Sequence, residues 1–553
     1  MPTGAELFSK SLKNLGVTHI FTLVGDHLNE ALQVLHRDGF QIVDTRHESA
    51  AVHMADGWAR MTRNLGVSLV TGGPGHTNSI TGLATAQATG VPLLAVSGTS
   101  NSRLRERFSF QDMDQLGQVD GVVKYKAVPT SPGHIPFLVG RAAREALTGR
   151  PGVSHLSIPV DCFTGQADQP TALPTGPIVP DRPRPAARSV DRILELLQAA
   201  KRPVVIAGGG AWFSDCGDQL QRFIENTQTP LFTITLARGL VSDDHPLCFG
   251  YADPTLNKPA DEVFQQADLV LLLGRKLDYR LRLGRPPLFA EDAKLVQIDL
   301  HDAELGLNRP LEVGAVADVR AALEDLNASL ESAPQPDRSD WLQTIQSHVD
   351  QYAAEVAAVP ARTEGPMHPL EFYREMRKWA PEDATYCWDG GDFVHWGRYM
   401  IPARRPGHWM RLGGLAGLGV SFPLSLAAQT LRPDKKSVYV TGDGSIGFYL
   451  SEMDTAVRFN LPVIIIVGND GGWGIERELQ EGNYPGDTVA CELRRTRYDL
   501  VMKGFGGDGA YVERPDQIRP ALDQAAASDK PFLINVEIAG AGSPFTQYAL
   551  GKR

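Results

Sequence analysis

KSVYVTGDGSIGFYLSEMDTAVRFNLPVIIIVGNDGGWGIERE, the stretch from Lys436 to Glu478, decides the fold. An apolar strand, Val438–Val440, runs into Gly442-Asp443-Gly444-Ser445, and a helix-like stretch follows. A second apolar run, Leu461–Val467, then ends at Asn469-Asp470-Gly471-Gly472. A right-handed βαβ crossover brings both strand ends to one edge of a parallel sheet. Asp443 and Asp470, 27 positions apart, then meet. Mg²⁺ takes oxygen ligands in octahedral geometry from one or two side chains plus phosphate oxygens, and two carboxylates at adjoining strand ends supply that set. Gly444 and the helix start behind it offer backbone N–H groups to the same phosphates. Gly-Asp-Gly alone is an ordinary turn; the second carboxylate gives it a chemical meaning.

The same alternation of short apolar runs with longer amphipathic stretches recurs on either side. Val67–Val70 and Leu93–Val96 come first, Val204–Ala207 and Leu269–Leu273 next, then Val438–Val440 and Val463–Val467. Proline-rich stretches of low periodicity, Gln166 to Ala187 and Ser332 to Asp340, divide the chain into thirds. The pattern predicts an α/β protein of three doubly wound parallel-sheet domains, spanning 1–168, 188–330 and 362–553. No short-period repeat is present. The first and last thirds share this architecture without an obvious match in sequence.

The 553 residues carry a formal charge of −11, with 42% hydrophobic and 22% charged residues. That is ordinary globular composition, and the negative balance argues against a nucleic-acid surface. Five separated cysteines, with no Cys-x-x-Cys pair, indicate neither a zinc site nor a disulfide framework, so a reducing cytoplasm is expected. Met1 to Phe21 lacks a secretory apolar core, and no segment reaches the ~18 apolar residues of a membrane span.

In its context the Lys436–Glu478 segment resembles the metal- and diphosphate-binding motif of thiamin-diphosphate (ThDP) enzymes, Gly-Asp-Gly followed by Asn-Asn. The resemblance implies Mg²⁺ bound by Asp443, the Asp470 side chain and the Gly472 carbonyl, with Gly442, Gly444, Ser445, Trp473 and Gly474 beside the cofactor. Asp470 departs from the usual asparagine, and its added negative charge alters metal preference. Further motifs are similar to those of decarboxylases, acetolactate synthases and benzaldehyde lyase. Arg46-His47-Glu48 before a helical stretch resembles the segment carrying the glutamate that activates the cofactor, which implies that role for Glu48. An exposed glutamate in a first helical turn is the plainer reading of the same residue. Gly73-Pro74-Gly75, with Asn78 after it, resembles the family's turn beside the cofactor. Gly391, Asp392 and Phe393 lie where relatives touch the diphosphate; Ala416 and Leu418 match the segment that wedges the bent cofactor.

Gln111 matches a glutamine facing the reacting centre in acetolactate synthases and lyases. Asp26 and His27 stand where decarboxylases have an aspartate and benzaldehyde lyase a histidine; His27 reads either as a proton shuttle or as a structural histidine. Glu476 reads as a proton relay or a helix-capping residue. The tail from Ser543, with Phe545, Tyr548, Lys552 and Arg553, reads as a lid or a frayed end.

The middle third, Leu273 to Phe289 with the strand Lys294 to Leu300, resembles the nucleotide-binding domain of 2-hydroxyacyl-CoA lyases and oxalyl-CoA decarboxylases. The resemblance implies nucleotide or CoA contacts from Gly209, Arg275, Lys276, Arg280, Arg282 and Asp299, with ADP or coenzyme A bound there rather than FAD. Fixed guanidinium charge suits phosphates, although alternating basic residues also make a solvated face. The family resemblance covers nearly the whole chain. It implies a pyrimidine-binding, a central and a diphosphate-binding domain, and a homo-oligomer, as a dimer of dimers. The expected activity is a carbon–carbon lyase or carboligase that cleaves a 2-hydroxyacyl-CoA to an aldehyde and an acyl-CoA. An acetolactate-synthase-like or benzaldehyde-lyase-like carboligase on free 2-oxo acids or aldehydes is the alternative, and a non-catalytic regulatory subunit a rival of another class.

Overall fold

In the computed structural model, which describes residues 1–168, 172–179, 181–330, 336–362 and 364–551, each expected apolar run is a strand. The N-terminal sheet contains β1 (His19–Leu23), β2 (Gln41–Asp44), β3 (Gly66–Val70), β4 (Leu93–Thr99), β5 (Tyr125–Ala127) and β6 (Val153–Pro159). The central sheet contains β7 (Pro203–Ala207), β8 (Leu231–Thr233), β9 (Cys248–Tyr251), β10 (Leu269–Leu273), β11 (Lys294–Asp299) and β12 (Val313–Val316). The C-terminal sheet contains β13 (Thr385–Trp388), β14 (Trp409–Arg411), β15 (Ser437–Gly442), β16 (Ile464–Asn469), β17 (Asp508–Val512) and β18 (Phe532–Glu537). Strands β3, β7 and β10 are buried at every position, the mark of parallel strands covered by helices on both faces.

The strand orders are β2-β1-β3-β4-β6-β5, β12-β11-β10-β7-β8-β9 and β14-β13-β15-β16-β18-β17, all pairings parallel. Counted from each domain's first strand, the N- and C-terminal sheets have the same order. Parallel open sheets bind ligands beyond the carboxyl ends of strands flanking the order reversal. Those ends are β1 and β3 in the first sheet, β7 and β10 in the second, and β13 and β15 in the third.

The N- and C-terminal domains share one apolar core, in which Val52 and Leu83 pack with Phe422, Leu424 and Tyr439. Helix Glu48–Thr62 meets helix Ser421–Leu431 so closely at Gly57 that an added Cβ would lie 3.1 Å from the Leu424 backbone. Polar contacts reinforce the seam: the Ser49 and Tyr449 hydroxyls are 2.9 Å apart, and the Arg46 N–H donates to the Glu452 carboxylate at 3.2 Å. Burial pushes the Glu452 carboxyl from its ordinary 4.5 up to about 7. A raised carboxyl pKa stabilises the fold fully below the unfolded value and loses that contribution as pH rises through the folded value. Thermal stability is therefore expected to fall between about pH 4.5 and 7, and Glu452→Gln to flatten that slope in melts across the window.

The proline-rich stretch after Gln166 holds no helix or strand among its described residues before helix Ala187–Ala199 begins. The second expected linker is shorter than its proline content implies: helix Ser339–Ala357 already starts inside it, while Ser332 to Gln335 lie outside the described residues. No helix among the described residues is long and apolar enough to cross a membrane.

Candidate active site

The register Gly442↔Gly468 places the ends of β15 and β16 side by side, so Asp443 and Asp470 occupy adjoining loops. Asp443 is 2% exposed, and its Oδ2 accepts the Gly472 N–H at 3.0 Å. Burial, then the neighbouring Asp470 carboxylate, pushes the Asp443 carboxyl up to about 7. Burial also raises Asp470, which pairs with the Arg477 guanidinium. Two carboxylates crowded in a low-dielectric site repel one another, and a hard divalent cation removes the repulsion. The donor set fits such an ion. Among the described residues no cluster of three or more histidine, cysteine or acidic side chains exists to hold a metal, so for such an ion backbone and ligand oxygens would have to join the two carboxylates.

A cleft with roughly 760 Å³ of non-atom space, counting its open mouth, lies over these loops. Gly442, Asp443, Gly444 and Ser445 form one wall; Asp470, Gly472, Trp473 and Gly474 form the second. Gly391, Asp392, Phe393 and Leu418 complete it. The cradle is built for close approach: a Cβ at Gly444 would sit 2.6 Å from the Trp473 ring. Gly391 has φ +102, a conformation that side-chain-bearing residues rarely adopt, and its missing Cβ leaves open space. Both features suit a diphosphate laid against backbone N–H groups.

Phe393 and Asp392 line the cleft, and each also has a structural partner. The Phe393 ring also packs into the core, tilted against Tyr373 at 4.9 Å and lying over Gly468. The Asp392 Oδ1 accepts the Ser543 N–H at 2.9 Å and the Thr546 hydroxyl at 2.7 Å, so the residue anchors the C-terminal segment while its buried Oδ2 makes no hydrogen bond. Ala416 is exposed with φ 55 and lies outside the cleft lining, whereas Leu418 is part of it. The tail is no frayed end: helix Pro544–Ala549 is docked, with Phe545 against His395 at 4.8 Å, while Lys552 and Arg553 lie outside the described residues. Glu476 occupies the first turn of helix Gly474–Asn483 and also lines the cleft, so both sequence readings describe its position.

A second cluster forms at the carboxyl ends of β1, β2 and β3. Glu48 starts its helix with His47 as cap, is 8% exposed, and accepts the Asn78 side-chain N–H at 3.0 Å. Pro74 opens helix Pro74–Thr89, which carries Asn78. The Thr71 hydroxyl lies 3.0 Å from His27 Nδ1 and 3.5 Å from Gln111 Oε1. Gln111 holds φ 57, and its side chain fills the space that a Cβ on Gly73 would need. Burial lowers the His27 pKa against the opposing pull of Asp26, leaving a neutral imidazole able to donate or accept. Asp26 itself points to solvent. None of these residues lines the cleft over Asp443. Exposed Phe108 and Phe110 flank the first half and exposed Phe448 the second.

Reasoning from sequence missed Thr71, Arg477 and Asp389. Thr71 was visible only as part of a turn. Arg477 was signalled by the unexpected charge at Asp470, which needed a partner. Asp389, pushed by burial up to about 6, receives the Tyr439 hydroxyl at 2.7 Å and the Gly419 N–H at 3.2 Å; it ties the Gly390 and Leu418 loops together.

A third feature is a cavity of roughly 1020 Å³ of non-atom space, mouth included, at the central order reversal. Gly209, Arg275, Lys276, Arg280 and Asp299 line it as expected. Arg282 does not; its guanidinium lies 4.9 Å over the Tyr548 ring. The basic run is not one solvated face, because Arg275 and Arg280 are each 6% exposed.

Three family models match the chain in order: the thiamine pyrophosphate enzyme N-terminal TPP binding domain over residues 2–118, the central domain over 190–326 and the C-terminal TPP binding domain over 389–536. A probable acetolactate synthase of Mycobacterium bovis is 33% identical over 535 residues, 96% of this chain and 95% of that protein. The chain belongs to the thiamine pyrophosphate enzyme family. Other relatives of this family member include 2-hydroxyacyl-CoA lyase 2 of Caenorhabditis elegans, 31% identical over 97% of this chain and 89% of that protein. 2-Hydroxyacyl-CoA lyase 1 of Mus musculus is 29% identical over 97% and 94%. The TPP-binding domains place thiamin diphosphate as the cofactor of this chain's chemistry.

Proposed function

We propose that this family member is a ThDP- and Mg²⁺-dependent carbon–carbon lyase that cleaves a 2-hydroxyacyl-CoA to an aldehyde and formyl-CoA, or runs the reverse condensation. The observation that carries the CoA reading is the central cavity, where Arg275, Lys276 and Arg280 meet glycine-lined strand ends and the ribose-suited carboxylate of Asp299. ADP or the nucleotide part of CoA fits that chemistry. When bound, ThDP supplies a carbon nucleophile that stores electrons beside a carbonyl. Asp443, Asp470 and the Gly472 carbonyl would hold the metal, and Gly444 and Ser445 would cradle the diphosphate.

Glu48, held by Asn78, exchanges the activating proton, and Gln111 with His27 orients the carbonyl oxygen through N–H donation. Glu476 stands at the cleft mouth as a proton carrier, while Leu418, Trp473 and Phe448 exclude water. Because Glu48 lines no part of the cleft over Asp443 in its own chain, the working unit is a homo-oligomer in which Glu48 of one copy faces Asp443 of another. Five free cysteines favour a cytoplasmic setting.

An acetolactate-synthase-like or benzaldehyde-lyase-like carboligase is the second reading, favoured by the Mycobacterium bovis relative and by Gln111. The test is product identification by liquid chromatography after incubation with formyl-CoA plus aldehydes, or with pyruvate alone. A 2-hydroxyacyl-CoA product supports the lyase; acetolactate from pyruvate overturns it. ADP at a hundredfold excess over its Kd is expected to add about 2.7 kcal/mol of stability, and FAD retained through purification counts for the synthase.

A further inference from the structure

Behind the central cavity, β14, the turn Tyr279–Gly284 and helix Asp392–Met400 bring three guanidiniums together: Arg411, Arg280 and Arg398. Arg280 and Arg398 are 6% and 2% exposed. Asp253, 3.5 Å from Arg280 Nε, is the carboxylate nearest the group; Asp278 also acts on Arg280 but is already paired with Arg275. Arg398 lies 4.7 Å over the Tyr251 ring, with none of its three nitrogens hydrogen-bonded. Arg411 Nε and Nη1 and Arg280 Nη2 are likewise buried without acceptors. His395, on the same helix as Arg398, adds no negative charge; its Nδ1 also lacks a partner. Burial first, then Arg398 and Arg280, depresses the Arg411 pKa to about 9, against the opposing pull of Tyr251 and Asp253.

Buried charge left unpaired is strongly unfavourable. Other buried guanidiniums have acceptors: Arg60 is paired with Asp56, Arg238 with Asp243 and Arg275 with Asp278, and Arg338 donates to the Thr227 and Leu197 carbonyls. Arg280 and Arg411 line the wall of the central cavity, while Arg398 lines a neighbouring cleft beside Tyr251.

We propose that Arg411, Arg280 and Arg398 form a buried phosphoryl site at the junction of the central and C-terminal domains, entered from the central cavity. Three guanidiniums with buried N–H groups that lack acceptors match a doubly charged, multi-acceptor anion better than a halide, because their planar forks bind phosphate oxygens in pairs. The phosphoryl group comes either as inorganic phosphate or as the terminal phosphate of a nucleotide in the cavity. The site stands independently of which substrate the ThDP cleft takes.

The test is thermal unfolding of the full chain after exhaustive dialysis against phosphate-free buffer, with ThDP and Mg²⁺ held constant. Wild type, Arg411→Met and Arg398→Met are compared in buffer alone, with saturating inorganic phosphate and with saturating ADP, at matched ionic strength. Without anion, Arg411→Met is expected to melt at or above wild type, because it removes an uncompensated charge. With anion, wild type rises and overtakes both variants, whose own shifts are reduced or lost. A wild-type rise with inorganic phosphate identifies a free-anion site; a rise with ADP alone assigns delivery by the nucleotide. Arg411→Met melting below wild type in every buffer, with no anion-dependent shift in wild type, overturns the site. Turnover of acyl-CoA or pyruvate is read separately, so failure here and failure of the lyase assignment are distinct results.

Discussion

Glu48→Gln is expected to lower turnover by about 10²–10⁴-fold, the span that a positioned proton-transfer group contributes, while ThDP stays bound. The substitution keeps the side-chain length. Its amide oxygen can still accept the Asn78 N–H that Glu48 accepts at 3.0 Å, so the helix start and the seam with the C-terminal domain persist. What is lost is the ability to take and return a proton. Measuring turnover alongside ThDP retention by equilibrium dialysis separates the two effects. Unchanged turnover would show that Glu48 is the ordinary first-turn glutamate that its helix position also allows; joint loss of turnover and cofactor would point to a folding defect. The contrast with a regulatory subunit follows, since a binding-only chain has no use for that carboxyl and would lose nothing on its neutralisation.

How far the residues reveal this site depends on how locally each part is built. Gly442-Asp443-Gly444 and Asn469-Asp470 sit at the ends of two apolar runs, so periodicity locates the strands and a single crossover rule brings the carboxylates together. The three-sheet architecture was readable for the same reason. Features that depend on packing across long separations were not. The Asp392 carboxylate is consumed by Ser543 and Thr546, more than 150 positions later, and no local pattern signals that. Arg282 lies next to residues that do line the central cavity, yet left-handed backbone at Arg282 and Leu283 turns it toward Tyr548. Arg411 and Arg398 carry no motif at all. Their meaning appears only when β14 and helix Asp392–Met400 close against the central domain. The docked tail escaped for a similar reason: its anchor, Asp392, belongs to a different element.

Asp443→Asn is expected to invert the balance between empty and loaded protein. In the empty site Asp443 and Asp470 repel each other, which with burial is why Asp443 stands at about 7. Asparagine retains an oxygen for the Gly472 N–H and removes that repulsion, so the empty variant should melt at or above wild type. Loading reverses the order. A direct metal ligand matters more than an outer-shell partner, whose loss typically costs about 10–100-fold in metal affinity, so Mg²⁺ affinity should fall beyond that range. Asp470 cannot compensate fully, because Arg477 already engages one of its oxygens. Titrating Mg²⁺ at fixed ThDP while following the melting temperature reads both quantities in one series. Wild-type Mg²⁺ affinity in the variant would remove Asp443 from the metal, and a lower melting temperature of the empty variant would show that its carboxylate is needed structurally. A higher start and a weaker response to metal together assign the charge of Asp443 to the cation that the paired strand ends are arranged to receive.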